Sequence, residues 1–336
     1  MFADPTSGGS VPPVKILAID GGGIRGIIPA LVLAEIEERT GRHVAELFDL
    51  IAGSSTGGIL AAALTRPAEG GYGPAHARYA ARDLLGLYEA EGPEIFDRTL
   101  LKRIRSVDGL FDERYDAKGL DSALDAYLGR TKLSETVTDV LITAYEIEGR
   151  FAFFFRSSRA RTDPTYDFTL ADATRATAAA PTYFEPARVT DVAGARTYAL
   201  IDGGVFAVNP ALCAVAEVAR TGRRDEVELV VSLGTGSHTR PLPYEEARDW
   251  GQIEWARPIV DVLFDGQAET TDFACAQLLP GGGYHRFQTE LTHASDDLDD
   301  ASPENLVALR KEGERLVAAR SREIDELCAA LTVIGP

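Results

Sequence analysis

Apolar and polar positions fall along the chain in blocks that predict strands and helices in turn. Residues 14–19 (VKILAI) form a short apolar run that stops at Asp20, the pattern of a buried strand. Residues 27–41 carry apolar positions at helical spacing, with Pro29 near the first turn and Gly41 as a stop. A second apolar run, 47–53, leads at once into SSTGGILAAALT, which reads as a turn and then a helix. Strand–turn–helix twice within the first 65 residues predicts an α/β fold of three layers. Its central sheet is mostly parallel and doubly wound, with helices on both faces.

Further along, 75–91 reads as helical, and the charged, mixed stretch 92–135 as a cap or lid of short helices. Residues 137–148 and 150–158 predict two strands in hairpin-like succession, and 170–180 a small-residue helix stopped by Pro181. A strand at 197–204 ends in glycines, a helix follows at 209–222, and another strand at 227–236. Long helices are expected at 258–279 and 303–331. With no internal repeat and no linker, 14–336 reads as one domain, with 67–135 as the cap or lid insertion. The Pro- and Gly-rich segment 1–13 is expected to be disordered.

Composition narrows the partners. The 336 residues include 34 Lys and Arg against 52 Asp and Glu, a formal net charge of −18. A nucleic-acid binder needs a basic face, so nucleic acid is excluded as a main partner. Adhesion to an anionic bilayer by bulk charge is excluded too, whereas a local apolar docking surface and transient membrane contact are not. Oligomeric state is not legible. Cys213, Cys275 and Cys328 are widely spaced and odd in number, which predicts idle or buried thiols rather than a disulfide framework or a zinc site. The N-terminus lacks the basic start and apolar core of a signal peptide, and no run of ~18 apolar residues occurs. A soluble, cytoplasmic protein is therefore expected. The acidic, Ala- and Arg-rich composition points to a high-GC bacterial source.

Two segments carry candidate chemistry. Asp20-Gly21-Gly22-Gly23-Ile24-Arg25-Gly26 lies between a strand and a helix, where successive amides can face one point beside a helix N-terminus. Such a nest holds a phosphate or a developing oxyanion. Its Gly21-x-Gly23-x-x-Gly26 spacing also fits a dinucleotide fingerprint, for which Asp49 is the nearest acid to hold a ribose, so a nucleotide-binding module is one reading. Gly53-Ser54-Ser55-Thr56-Gly57 is a G-x-S-x-G pentapeptide at a strand-to-helix turn, with Ser55 as the central hydroxyl and Ser54 as a neighbouring decoy. A serine needs a base. His238 could serve in an α/β-hydrolase arrangement; His43, His76, His285 and His293 read as surface or satisfied residues. Asp202 is the other candidate: it ends a strand, precedes Gly203-Gly204, and is expected to emerge at the same C-terminal sheet edge as Ser55. It reads equally as an Asx-turn or helix-capping residue.

DGGGIRG, GSSTG and DGG, in that order, resemble the patatin-like phospholipase family, and ATAAAPTYFEP (177–186), DGGVFAVNP (202–210) and VVSLGTG (230–236) are similar to it as well. The resemblance covers roughly 14–240 and implies a lipid acyl hydrolase with a Ser-Asp dyad, no catalytic histidine, and no metal or organic cofactor. Carried over, Ser55 is the nucleophile and Asp202 the general base. Gly22, Gly23, Ile24 and Arg25 supply amides to the oxyanion hole. Gly53, Gly57, Gly203, Gly204 and Asn209 support the elbow and the Asp202 loop. Arg25 would steady the glycine loop or meet a lipid phosphate. Val208 departs from the family's usual second Asn. The cap region 67–135 would set acyl-chain selectivity, and the substrate would be a lipid or other acyl ester. Bacterial patatin-like domains of nucleotide-signalled defence systems resemble this description too, so a ligand-activated effector is a second reading.

Overall fold

Alternation along the first strand decides the layering. In the computed structural model, which describes residues 13–96, 102–105, 111–237, 241–255, 258–279 and 281–333, β1 (Val14–Ile19) lies inside a parallel sheet and is buried on both faces. Leu17 and Ile19 face one core; Val14, Ile16 and Ala18 face the other. A period of two places successive side chains on opposite faces, so an apolar strand of this kind needs helices on both. The first core is covered by α1 (Ile27–Thr40), the wholly buried α2 (Thr56–Thr65), α3 (Lys118–Leu128), α4 (Leu170–Thr177) and the C-terminal α7 (Pro303–Ala319) and α8 (Ser321–Thr332). The second is covered by α5 (Ala211–Arg220) and by Cys275 of α6 (Pro258–Leu278).

The remaining sheet strands are β2 (Leu50–Gly53), β5 (Asp139–Glu146), β6 (Phe151–Arg156), β7 (Ala187–Thr190), β8 (Thr197–Asp202), β9 (Val227–Leu233) and β10 (Tyr284–Phe287). Their order is β10-β9-β1-β2-β5-β8-β7, with β6 also paired to β5. The five strands from β10 to β5 are parallel, and β6, β7 and β8 add antiparallel pairs. The expected mostly parallel, three-layer α/β architecture is what the structure has.

The register on β5 positions the site. β6 occupies one edge of β5 from Leu141 to Glu146, so β2 and β8 must share the other. β2 runs parallel to β5 and ends with Gly53 opposite Ile142; β8 runs antiparallel and ends with Asp202 opposite Ala144. The two strands therefore meet nearly head to head. This corrects the expectation of a shared C-terminal edge: β8 points against β2, and its C-terminal residue arrives from the opposite direction.

Four other expectations differ from the structure. Residues 75–91 are helical only in part: Pro74–His76 is one short turn, residues 77–80 are not helical, and from Ala81 the chain is helical without a break through Ile95, tight at Ala81–Leu84 and wide at Leu87–Glu91. The cap holds α3 but also a hairpin, β3 (Lys102–Arg105) with β4 (Phe111–Arg114), where only helices were expected. The expected helix 303–331 breaks at Arg320, where Arg39 donates to the Ser321 carbonyl; the break lets Ile324, Leu327 and Leu331 of α8 turn inward. Strands β7 and β10 were not anticipated. Of the segment 1–13, residues 1–12 lie outside the described residues, as does His238.

Candidate active site

The turn from β2 into α2 holds Ser55 in a conformation that few L-residues adopt, φ 53° and ψ −125°. Such strain is of the order of 1–3 kcal/mol and persists only where the surroundings enforce it. Its two flanking glycines are enforced by close approach. A Cβ on Gly57 would lie 2.1 Å from the Ile19 carbonyl oxygen, and one on Gly53 would lie 2.1 Å from the Gly57 carbonyl oxygen. The Ser55 amide donates to Thr177 Oγ1 at 2.8 Å. Ser55 faces the cavity described below, whereas Ser54 is fully buried with its hydroxyl unpartnered among the described residues.

Asp202, only 2% exposed, accepts a hydrogen bond from the Gly204 amide at 2.6 Å to Oδ1, and the Ser55 hydroxyl beside it is the second donor that favours its charged form. Loss of water pushes its pKa up to about 7 against the pull of these two donors. The Gly203 position sits against Thr143 of β5, where a Cβ would lie 2.1 Å from the hydroxyl, so the loop beyond Asp202 can hug the strand. Asn209 closes that loop: its Oδ1 accepts from the Ala211 amide at 3.0 Å and the Ser232 hydroxyl at 3.3 Å.

The glycine loop is held from three sides. Gly21 donates its amide to the Val208 carbonyl at 2.9 Å, and Thr235 donates its hydroxyl to the Gly21 carbonyl at 2.8 Å. The Ile24 amide is bound to the Leu298 carbonyl at 2.9 Å and that of Arg25 to the Gly22 carbonyl at 3.1 Å. These bonds remove Ile24 and Arg25 from the expected set of oxyanion donors. The amides of Gly22 and Gly23 have no acceptor among the described residues, and both glycines line the cavity. Gly23 takes φ +56°, and a Cβ there would strike the Leu298 carbonyl. The Arg25 side chain is 5% exposed and donates from Nε to the Gly22 carbonyl at 3.3 Å, so it steadies the loop rather than reaching outward to a phosphate. Burial pushes its pKa down, opposed by Asp265 and Asp261 on α6.

Beneath the loop lies a buried polar chain that the sequence reading missed. Arg286 on β10 donates to both oxygens of Asp20, at 3.0 and 2.5 Å, and to Ser232 Oγ at 2.8 Å; Ser232 in turn donates to Asn209. One guanidinium thus links the start of the glycine loop to the end of the Asp202 loop. The available signal was an aspartate ending a buried strand, a charge that needs a partner.

Above these groups is a largely apolar cavity. Ile59, Ile95, Phe96, Leu120, Leu124 and Phe184 are among the residues that line it, together with Phe264 of α6 and Leu298. Among the described residues, Asp202 is the one carboxylate in the lining. Tyr88, also in the wall, shares a 2.6 Å hydrogen bond with the Thr56 hydroxyl, which fixes the wide turn of 87–91 against the elbow. None of the histidines among the described residues lines the cavity: His43 lies by Glu37, His285 by Glu323, and the His293 amide binds Glu312. Asp49 precedes β2 and accepts from the Lys15 amide at 2.8 Å, so it stands at the opposite end of the strand from the glycine loop. The dinucleotide reading, which needs an acid beyond the second strand, is corrected by that position.

The patatin-like phospholipase family profile matches residues 17–215, more than half of the chain. The chain belongs to the patatin-like phospholipase family. Patatin-like protein 2 of Arabidopsis thaliana is 36% identical over 90% of this chain and 83% of its own length. Patatin-like protein 2 of Oryza sativa subsp. indica is 33% identical over 96% of this chain and 88% of its own. A Solanum tuberosum relative, "Probable inactive patatin-3-Kuras 1", is 32% identical over 90% and 86%, so the residues of the site matter beyond the family match. The solved structure of VipD from Legionella pneumophila aligns with a TM-score of 0.39 at 11% identity, over 92% of this chain and 68% of that one; at that score it adds nothing to the fold described above. Membership in the patatin-like family supports lipid acyl hydrolysis as the general activity. The named relatives are plant proteins, and no helix among the described residues is long and apolar enough to cross a membrane.

Proposed function

We propose that this patatin-like chain hydrolyses fatty-acyl esters of lipids through a Ser55–Asp202 dyad and an acyl-enzyme. The observation that carries the reading is the strained Ser55 set beside a buried carboxyl, Asp202, in the wall of one apolar cavity. With a pKa raised to about 7, Asp202 is basic enough to take the hydroxyl proton near neutral pH and acidic enough to return it.

The acyl chain enters the apolar cavity, and its carbonyl comes to rest between Ser55 and the glycine loop. As Ser55 Oγ attacks, its proton passes to Asp202 and the carbonyl π electrons move onto oxygen. The unclaimed amides of Gly22 and Gly23 then receive that oxyanion. Well-placed donors of this kind are each worth ~3–4 kcal/mol. Asp202 returns the proton to the leaving alcohol, and water, deprotonated by the same carboxylate, releases the fatty acid. Cap residues Leu87, Ile95, Phe96, Leu120 and Leu124 wall the chain-binding space, which supports a role for the cap in chain selectivity.

Turnover of short-chain p-nitrophenyl esters tests the assignment. Ser55→Ala is expected to reduce turnover by roughly 10³-fold or more. Ser54→Ala, altering a hydroxyl outside the cavity, is expected to retain most of it. Activity surviving in Ser55→Ala overturns the reading.

A further inference from the structure

Helix α6 carries two apolar faces and buries only one. Of its 21 residues only Cys275 is fully buried, and Phe264 faces inward to line the cavity. Gln267 ties it to the Asp202 loop, donating from Nε2 to the Val205 carbonyl at 3.1 Å. On the outside, Ile259, Val262, Leu263 and Phe273 are 39%, 43%, 54% and 70% exposed. At about 100° per residue these four fall within an arc of about 100°, a stripe some 21 Å long. Four acids, Asp261, Asp265, Glu269 and Asp272, lie along one flank of it, and the helix has no Lys or Arg.

We infer that this stripe seats the protein on a lipid surface of neutral or zwitterionic headgroups. The inference rests on the proposed hydrolase reading for its purpose, since an acyl ester must leave an aggregate to reach the cavity. Two observations choose the occupant. The stripe is continuous, through one helix, with the wall of a cavity whose lining is apolar and so suits a chain rather than a headgroup. The acidic flank and the overall charge of −18 oppose an anionic bilayer, whereas they do not oppose a neutral one. Exposed apolar patches rimmed by polar residues mark interaction sites, and burial of such side chains is favourable.

Co-sedimentation of the full chain with phosphatidylcholine vesicles and with phosphatidylglycerol vesicles tests this without needing turnover. The wild type is expected to bind the first and not the second. Leu263→Ser/Phe273→Ser is expected to weaken binding on the order of tenfold or more, with an unchanged Tm. In the same variant, p-nitrophenyl ester turnover stays at the wild-type level while hydrolysis of vesicle-borne phospholipid falls. If the double variant unfolds early, Phe273→Ser alone carries the measurement. Equal vesicle binding by variant and wild type overturns the inference, as does stronger binding to the anionic vesicles. So does a wild-type dimer on gel filtration that the variant dissolves, because the stripe would then face a second copy. A chain that binds phosphatidylcholine but turns over no ester would sink the hydrolase reading and leave the docking surface standing.

Discussion

Asp202 has lost nearly all of its water; the Gly204 amide donates to it, and the Ser55 hydroxyl beside it also favours its charged form. Its raised pKa sets two opposite dependences on pH. In its proposed role as base it must be ionised, so kcat/KM should climb about tenfold per unit up to about pH 7 and level off above it. For stability the sign is reversed, because the folded pKa lies above the unfolded value of 3.8. The protonated form favours folding: that contribution is complete below about pH 4, declines as pH rises through about 7, and is absent above. Asp202→Asn should therefore lose turnover on the order of 10³-fold, and its Tm should rise relative to wild type between pH 5 and pH 8. A flat rate profile over that range, or a Tm difference that shrinks, contradicts the role given to burial. Ser55 and Asp202 were legible because glycines beside them mark places where backbones must come close. Thr177, Tyr88 and Leu298 were not, because each meets the site only through tertiary packing and carries no local pattern.

The elements were legible where hydrophobic period is strong. Val14–Ile19, Ile27–Thr40 and Val227–Leu233 lie where their patterns put them. β8 was seen as a strand, but its direction was not, since apolar runs carry no sign of parallel or antiparallel pairing. β10 escaped because four residues, YHRF, with an arginine among them, do not look like a strand. That arginine is the one that joins Asp20 to Ser232. Arg286→Met leaves a buried carboxyl unpaired and should cost about 3–5 kcal/mol. Asp20→Asn/Arg286→Met removes both charges and should recover most of the Tm. If the pair positions the glycine loop, kcat of the double variant stays down on the order of tenfold or more with KM unchanged. Recovery of kcat together with Tm would make the pair a matter of stability alone.

Across the whole molecule, chemistry is drawn from distant stretches of sequence: residues 20–26, 53–57, 177, 202–209, 235, 264, 286 and 298 converge on one cavity and the loops that border it. The composition argues against an anionic partner, whereas the exposed stripe of α6 became visible only once its inner face was assigned. Fluorophosphonate labelling with mass-spectrometric mapping is the most direct measure of the central claim, that Ser55 is made nucleophilic by Asp202. Modification is predicted at Ser55 alone, at a rate that rises through about pH 7, is lost in Asp202→Asn and is unchanged in His238→Ala. Label on another serine, or a rate that fails in His238→Ala and survives in Asp202→Asn, would contradict it.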